Sequence, residues 1–228
     1  MSEPLVFLPG MMCDARLFQP QMEALGGVCL PIDGADSVEA LAEQVLAEAP
    51  ERFALAGLSM GGIVAMEVVR QAPDRVTRLA LMDTNPLAES DTVKARRFPQ
   101  MDKVRAGGLA SVMRDEMKPN YLADTPNRAA ILDLCMEMAL DLGPQVFLRQ
   151  STALMNRPDQ SETLKAFNKP ALVLCGRHDA LCPVHRHEMM AELLPKATLT
   201  IIDGAGHLPT LETPDQTTAA LAAWLKET

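Results

Sequence analysis

The sequence predicts an α/β fold: a parallel sheet, mostly of six strands, with helices on both faces. Three observations predict it. Short apolar runs alternate with segments of helical period, the β-α-β-α rhythm that a parallel sheet requires. The runs are continuous rather than alternately apolar and polar, as expected of strands buried on both faces. The chain has 228 residues, 48% of them hydrophobic. At about 150 residues per domain, that is one large domain or one domain carrying an inserted lobe. A chain of this length buries about 70% of its unfolded surface, so its core needs no staples.

The elements follow in order. Leu5–Leu8 is a β-rich run ending at Pro9-Gly10, and Val28–Ile32 is a second, ending at Asp33-Gly34. Ser37 has the side chain of an N-cap, and Val38–Ala49 follows with Leu41, Val45 and Leu46 on one helical face. Phe53–Ala56 is a strand that stops at Gly57; a helix then runs to about Gln71 and is closed by Pro73. Leu79–Met82 is the fourth strand, Ala171–Cys175 the fifth and Thr198–Ile202 the sixth. The last helix starts near Pro214 and carries Leu221, Trp224 and Leu225. Between Pro86 and Pro170 the rhythm stops. That stretch reads as helices, among them Val104–Met117, Arg128–Leu142 and Pro144–Met155, inserted after the fourth strand. The expected division is therefore a core of residues 1–85 and 170–228 and a helical lobe of residues 86–169.

Composition narrows the function. Lys and Arg number 21 against 30 Asp and Glu, a net charge of −9, which argues against a nucleic-acid surface. Aromatics are scarce, with one Trp, one Tyr and six Phe, whereas Met is abundant at 15, so adaptable thioether packing takes over part of the aromatic filling. Cys13, Cys29, Cys135, Cys175 and Cys182 show no CxxC spacing, and the four His form no zinc pattern with them. They read as reduced thiols of a cytoplasmic protein. The first residues have no basic start and too short an apolar run for a signal peptide, and no stretch approaches the ~18 apolar residues of a membrane span. No dinucleotide fingerprint, P-loop or metal cluster appears, so no cofactor and no metal are expected.

Chemistry concentrates in Gly57-Leu58-Ser59-Met60-Gly61-Gly62, a G-x-S-x-G between a predicted strand and a predicted helix. A strand turning abruptly into a helix forces its middle residue into strained angles. Small residues two before and two after leave room for the close approach. The turn exposes the Ser59 hydroxyl at the C-terminal edge of the sheet, and the helix N-terminus favours negative charge developing there. A serine alcohol needs a base to take its proton. Of His178, His185, His187 and His207, only His207 sits directly after the last strand, in Gly204-Ala205-Gly206-His207-Leu208-Pro209. His185 and His187 read as a solvated helix face. The acid that orients the base is Asp179, after the fifth strand, or Asp83, after the fourth; Asp33 and Asp203 sit beside Gly, where Asp commonly makes turns.

The order Ser59, Asp179, His207 is that of one of the several folds that converged on this triad. With the Leu-Pro-Gly turn after the first strand, the loop Gly176-Arg177-His178-Asp179-Ala180-Leu181-Cys182-Pro183 and the loop Gly206-His207-Leu208-Pro209-Thr210-Leu211-Glu212-Thr213-Pro214, the chain resembles the α/β-hydrolase superfamily over nearly its whole length. The resemblance favours Asp179 over Asp83. It implies an oxyanion hole made by the backbone N–H groups of Met60 and Met11, with Met12 as the alternative donor; losing one such donor costs about 3 kcal/mol. It implies that the usual N-terminal hairpin is absent, since the oxyanion loop is reached by residue 10. It also implies that residues 86–169 form a cap over the site. Candidates for the pocket wall are Met12, Met113, Met117, Met136 and Phe147, with Phe98, Met138, Leu154 and Met155 as further candidates for the underside of the cap, and Arg96-Arg97 reads as a solvated basic pair. Serine at the elbow departs from the dehalogenase and epoxide-hydrolase branches, which use aspartate there.

The expected activity is that of a carboxylesterase cleaving small to medium apolar esters through an acyl-enzyme. The same triad in relatives also serves C–C bonds of dicarbonyls, thioesters and lactones, and a binding protein on a hydrolase scaffold is the reading from another class.

Overall fold

The computed structural model describes residues 3–227. Its six strands are β1 (Leu5–Leu8), β2 (Val28–Cys29), β3 (Phe53–Leu58), β4 (Val76–Met82), β5 (Ala171–Gly176) and β6 (Ala197–Ile202). They form one sheet in the order β2-β1-β3-β4-β5-β6, and every pairing is parallel. The α-helices are α1 (Gln19–Leu25), α2 (Val38–Glu48), α3 (Met60–Gln71), α4 (Asp91–Arg105), α5 (Leu109–Val112), α6 (Arg128–Asn156), α7 (Ser161–Ala166), α8 (Val184–Leu193), α9 (Pro209–Glu212) and α10 (Pro214–Trp224).

Strands β1, β3 and β5 are buried at every residue, which is why their sequences are unbroken apolar runs. Successive residues still point to opposite faces. Val6, Leu8, Leu55 and Val173 pack under α2, α3 and α8, with Leu41, Val45, Val64, Val68 and Met190. Leu5, Phe7, Ala56 and Leu174 pack on the other side with Leu17, Phe18, Leu221 and Trp224, and Phe7 stacks on Phe18 with ring centroids 4.8 Å apart. Ser37 caps α2 as the sequence predicts, its hydroxyl accepting the Ala40 N–H at 3.2 Å.

β2 and β4 differ most in extent from the sequence reading; β3 runs two residues further, to Leu58, and β5 and β6 each gain one residue. β2 stops at Cys29 rather than Ile32: Leu30 still donates its N–H to the Phe7 carbonyl, but Pro31 has no N–H to continue the ladder. β4 starts at Val76 rather than Leu79, because its backbone already pairs with β3 there, Val76 beside Phe53 and Arg78 beside Ala54, and the Arg78 side chain is held by Glu3 and by the carbonyls of Trp224 and Glu227.

The segment between β4 and β5 is helical, as expected, but its boundaries shift. The helix expected over Val104–Met117 is broken: α4 ends at Arg105, Gly107 takes a φ of 90° that side-chain-bearing residues rarely adopt, and α5 passes into a π turn at Met113–Met117. Within α6, Gly143 (φ 79°, ψ 176°) breaks the helical path before Pro144, at the boundary predicted from those two residues. These helices share a third core of Met101, Val104, Val112, Ala139, Val146 and Phe147. None of the described helices is long and apolar enough to cross a membrane.

Candidate active site

The turn from β3 into α3 places Ser59 at φ 54°, ψ −115°, a left-handed conformation for a residue with a side chain. Such backbone strain costs on the order of 1–3 kcal/mol and persists only where surrounding contacts enforce it. Here the Ser59 N–H donates to the Met82 carbonyl at 2.9 Å, and the Thr84 hydroxyl donates to the Ser59 carbonyl at 2.7 Å. Two glycines make the turn sterically possible. A Cβ at Gly57 would run into the backbone of Gly61, and one at Gly61 would run into the carbonyl of Leu8.

His207 and Asp179 reach the same edge from the loops after β6 and β5. The Ser59 Oγ lies 3.0 Å from His207 Nε2, and His207 Nδ1 lies 2.9 Å from Asp179 Oδ2. With Nδ1 protonated, His207 donates to Asp179 and offers Nε2 as the acceptor for the serine proton. The other Asp179 oxygen accepts the N–H groups of Leu181 and Cys182 at 2.8 and 2.9 Å. Burial by itself would raise the Asp179 carboxyl. The neighbouring imidazole and the two backbone donors outweigh it and hold the group below the usual aspartate value.

The histidine loop is fixed by Glu212. Its buried carboxyl accepts the N–H groups of Gly206 and Leu208 at 3.0 Å, and that of Ala123 at 2.8 Å. Burial raises its pKa, and these three donors only partly offset that. The His207 N–H itself donates to the Tyr121 carbonyl at 2.6 Å. The segment at 121–123, part of the helical insertion, is thus strapped to the loop that carries the base.

Asp83, the rival acid, does not reach His207. It is fully buried, with φ 45°, and accepts the Gly176 N–H at 3.0 Å through one oxygen. Burial, then the charge of Asp179, raises its carboxyl well above the usual range. His185 is exposed as expected, but His187 is not on a solvated face. It is fully buried and accepts the Thr84 N–H at 3.1 Å, and burial lowers its pKa to about 4.

A cavity of about 270 Å³ opens over Ser59 and His207. That is slightly below the ~300–1,000 Å³ typical of ligand sites. Met11 and Met60 both line it. Met60 is the first residue of α3, so its N–H lies outside the helical ladder. Among the described residues neither the Met60 nor the Met11 N–H has a protein partner. Met12, the alternative donor, is excluded: its N–H is held at 2.9 Å by the Oε1 of buried Gln150, whose Nε2 donates to the Ile32 carbonyl at 3.0 Å.

Of the expected pocket wall, Met117 and Leu154 line the cavity. Met12, Met113 and Phe147 do not, because they are spent in the core of the helical insertion, and Met136 packs against that core. Met155 joins the same core, Met138 is buried with its sulfur accepting the Asp14 N–H at 3.5 Å, and Phe98 is 58% exposed. Periodicity alone does not say which side of a helix faces a cleft and which faces another helix. Residues that sequence reasoning missed as lining the cavity are Tyr121, Glu89 and Arg157. The Arg96-Arg97 pair splits: Arg96 is exposed, whereas Arg97 turns into the cavity.

The family model of the alpha/beta hydrolase family matches residues 5–221. The chain belongs to this family. A protein of Yersinia enterocolitica named as a carbamate hydrolase is 26% identical, over 98% of this chain and 87% of its own length. A pimeloyl-[acyl-carrier protein] methyl ester esterase of Aromatoleum aromaticum is 27% identical, over 88% of this chain and 83% of its own. A thermophilic esterase from Thermogutta terrifontis, solved with malate bound, superposes with a TM-score of 0.88 at 28% identity, over 98% of this chain and 89% of that chain.

Asp179, Cys182 and His207 also bring three atoms of metal-ligand type within 4.8 Å of one another. In this alpha/beta hydrolase the first and last are engaged with each other, and burial holds the Cys182 thiol well above its usual pKa, a poor state for a ligand.

Proposed function

We propose that this alpha/beta hydrolase is a serine carboxylesterase acting on small to medium esters through an acyl-enzyme. The observation that carries the reading is the unbroken chain of contacts from Ser59 Oγ through His207 to Asp179, opening into a cavity. Ser59 attacks the ester carbonyl while His207 Nε2 takes its proton. Asp179 keeps the proton on Nδ1 and stabilises the imidazolium as it forms. The carbonyl oxygen becomes an oxyanion between the Met11 and Met60 N–H groups, at the N-terminus of α3, whose dipole favours the same charge. The tetrahedral intermediate collapses, His207 returns its proton to the leaving alcohol, and Ser59 is left acylated. Water then repeats the sequence with His207 as base, releasing the acid and restoring Ser59.

Residues 86–169 act as a cap on the core of residues 1–85 and 170–228. The cap supplies Glu89, Arg97, Met117, Tyr121, Leu154 and Arg157 to the cavity wall and so sets the substrate range. Esterase and hydrolase names among relatives of 26–28% identity support the reading. The test is turnover of a series of p-nitrophenyl esters of rising acyl length by the wild type and by Ser59→Ala. Loss of about 10³-fold or more in kcat is expected for the variant; turnover within a few-fold of the wild type sinks the proposal.

A further inference from the structure

The cavity that holds Ser59 also holds an unbalanced charge. Three charged side chains line it: Glu89, Arg97 and Arg157. Arg97 grips Glu89 with two bonds, Nε to Oε2 at 2.7 Å and Nη2 to Oε1 at 2.8 Å. Arg157 donates Nη1 to the same carboxylate at 3.0 Å and Nε to the Leu87 carbonyl at 2.9 Å. Among the described residues, Glu89 is the one carboxylate that pairs with either guanidinium. Two positive charges therefore share one negative charge, and all three side chains are nearly out of water, at 15%, 10% and 2% exposure for Arg97, Arg157 and Glu89.

Burying charge beyond what is paired is costly, and an arginine cannot shed its proton to avoid the cost. This protein has an excess of acidic residues, with a net charge of −9, yet among the described residues Glu89 is the one acidic side chain that lines the cavity. The uncommitted donors are also specific. Arg157 Nη2 has no hydrogen-bond partner among the described residues, and Arg97 Nη1 has only the Met11 sulfur at 3.9 Å. Met11 lines the same cavity as Ser59. The surplus donors thus share the reacting cavity. The same lining includes the apolar side chains of Ile63, Val93, Leu154 and Leu181.

We infer that the site is built for an ester that carries a free carboxylate, a half-ester of a short dicarboxylic acid. Its ester carbonyl sits at Ser59, its methylenes lie against Ile63, Leu154 and Leu181, and its carboxylate balances Arg97 and Arg157. A guanidinium matches a carboxylate in plane and number of donors, which fixes the substrate's direction in the cavity as well as its charge. This inference rests on the esterase reading of Ser59 and adds the substrate class.

The experiment compares monomethyl glutarate with dimethyl glutarate at pH 8, following proton release for the wild type, Arg97→Gln and Glu89→Gln. The two esters share a chain and a leaving group and differ in charge. The wild type should favour the half-ester by about 10- to 100-fold in kcat/KM, the range of a hydrogen-bonded ionic contact. Arg97→Gln should lower that ratio about tenfold, and Glu89→Gln, which leaves two cations against no anion, should raise it. The ratio is independent of how much of a variant is folded. Equal or faster turnover of the diester by the wild type overturns the inference, as does a ratio that Arg97→Gln leaves unchanged. A fluorophosphonate probe run alongside separates the two readings. If Ser59 is phosphonylated while the diester is preferred, the anion inference fails and the esterase stands. If Ser59 is not phosphonylated, the esterase reading fails and the inference goes with it.

Discussion

Replacing Gln150 by Leu tests how the oxyanion loop is held. Gln150 is buried, 1% exposed, on α6, and it bridges two backbone groups: the Met12 N–H at 2.9 Å and the Ile32 carbonyl at 3.0 Å. Leu fills similar space but offers neither partner, so both groups are left buried and unpaired. At about 1–3 kcal/mol for each, the loss of stability should be ~2–6 kcal/mol, a large share of the ~5–15 kcal/mol that holds a typical domain together. The functional effect is separate. Met12 sits at φ 57°, and its bond to Gln150 occupies its N–H and anchors the loop that carries Met11, a residue of the cavity wall. Without that anchor the loop relaxes and one oxyanion donor is misplaced, which costs about 10²–10³ in kcat. Urea unfolding gives the stability change, and single-turnover acylation at low temperature, normalised to folded protein, gives the rate. A Gln150→Leu enzyme that acylates within about threefold of the wild type would show that the loop is held by something other than this bridge.

Three further outcomes follow from the same site. Asp179→Asn should fold normally and lose about 10⁴-fold in kcat, because the asparagine amide favours the wrong tautomer of His207; a loss under tenfold would assign the acid's role elsewhere. Burial, then the charge of Asp179, raises the Asp83 carboxyl above its unfolded value, so its contribution to stability declines as pH rises through and above the ordinary carboxylate range. Asp83→Asn, of the same shape and always neutral, should therefore be at least as stable as the wild type at pH 8, and a loss of more than about 2 kcal/mol in urea unfolding would contradict that. His187 has its pKa lowered from 6.5 to about 4 by burial, so the unfolded chain takes up a proton in that interval and the native state does not. Stability should fall by about 1.4 kcal/mol per pH unit as pH drops through this window, and His187→Gln should flatten that slope.

The sheet was legible because parallel strands buried on both faces leave unbroken apolar runs, and the nucleophile turn was legible because its sterics demand Gly57 and Gly61. The edge strand β2 was overextended because an apolar run does not reveal where hydrogen-bond partners end; Pro31 does. Position favoured Asp179 over Asp83 only weakly, since both follow strands at the same sheet edge. What separates them is that one meets an imidazole and two backbone donors, while the other meets a single N–H inside the core. The pocket wall was read least well. Met113 and Phe147 satisfy the pattern of a cleft-facing residue and of a helix-packing residue equally, and three-dimensional packing chooses the second. Arg157 and Glu89 carried no local signal, because their meaning lies in a charge balance between residues 68 positions apart.

The central claim is that Ser59 is an activated nucleophile, and its most direct measurement needs no knowledge of the substrate. The protein is treated with a fluorophosphonate and its intact mass is read, with Ser59→Ala and His207→Gln alongside. A single adduct on the wild type, localised to Ser59 and absent from both variants, is the predicted result. An unmodified wild type, or an adduct that survives Ser59→Ala, would contradict the account.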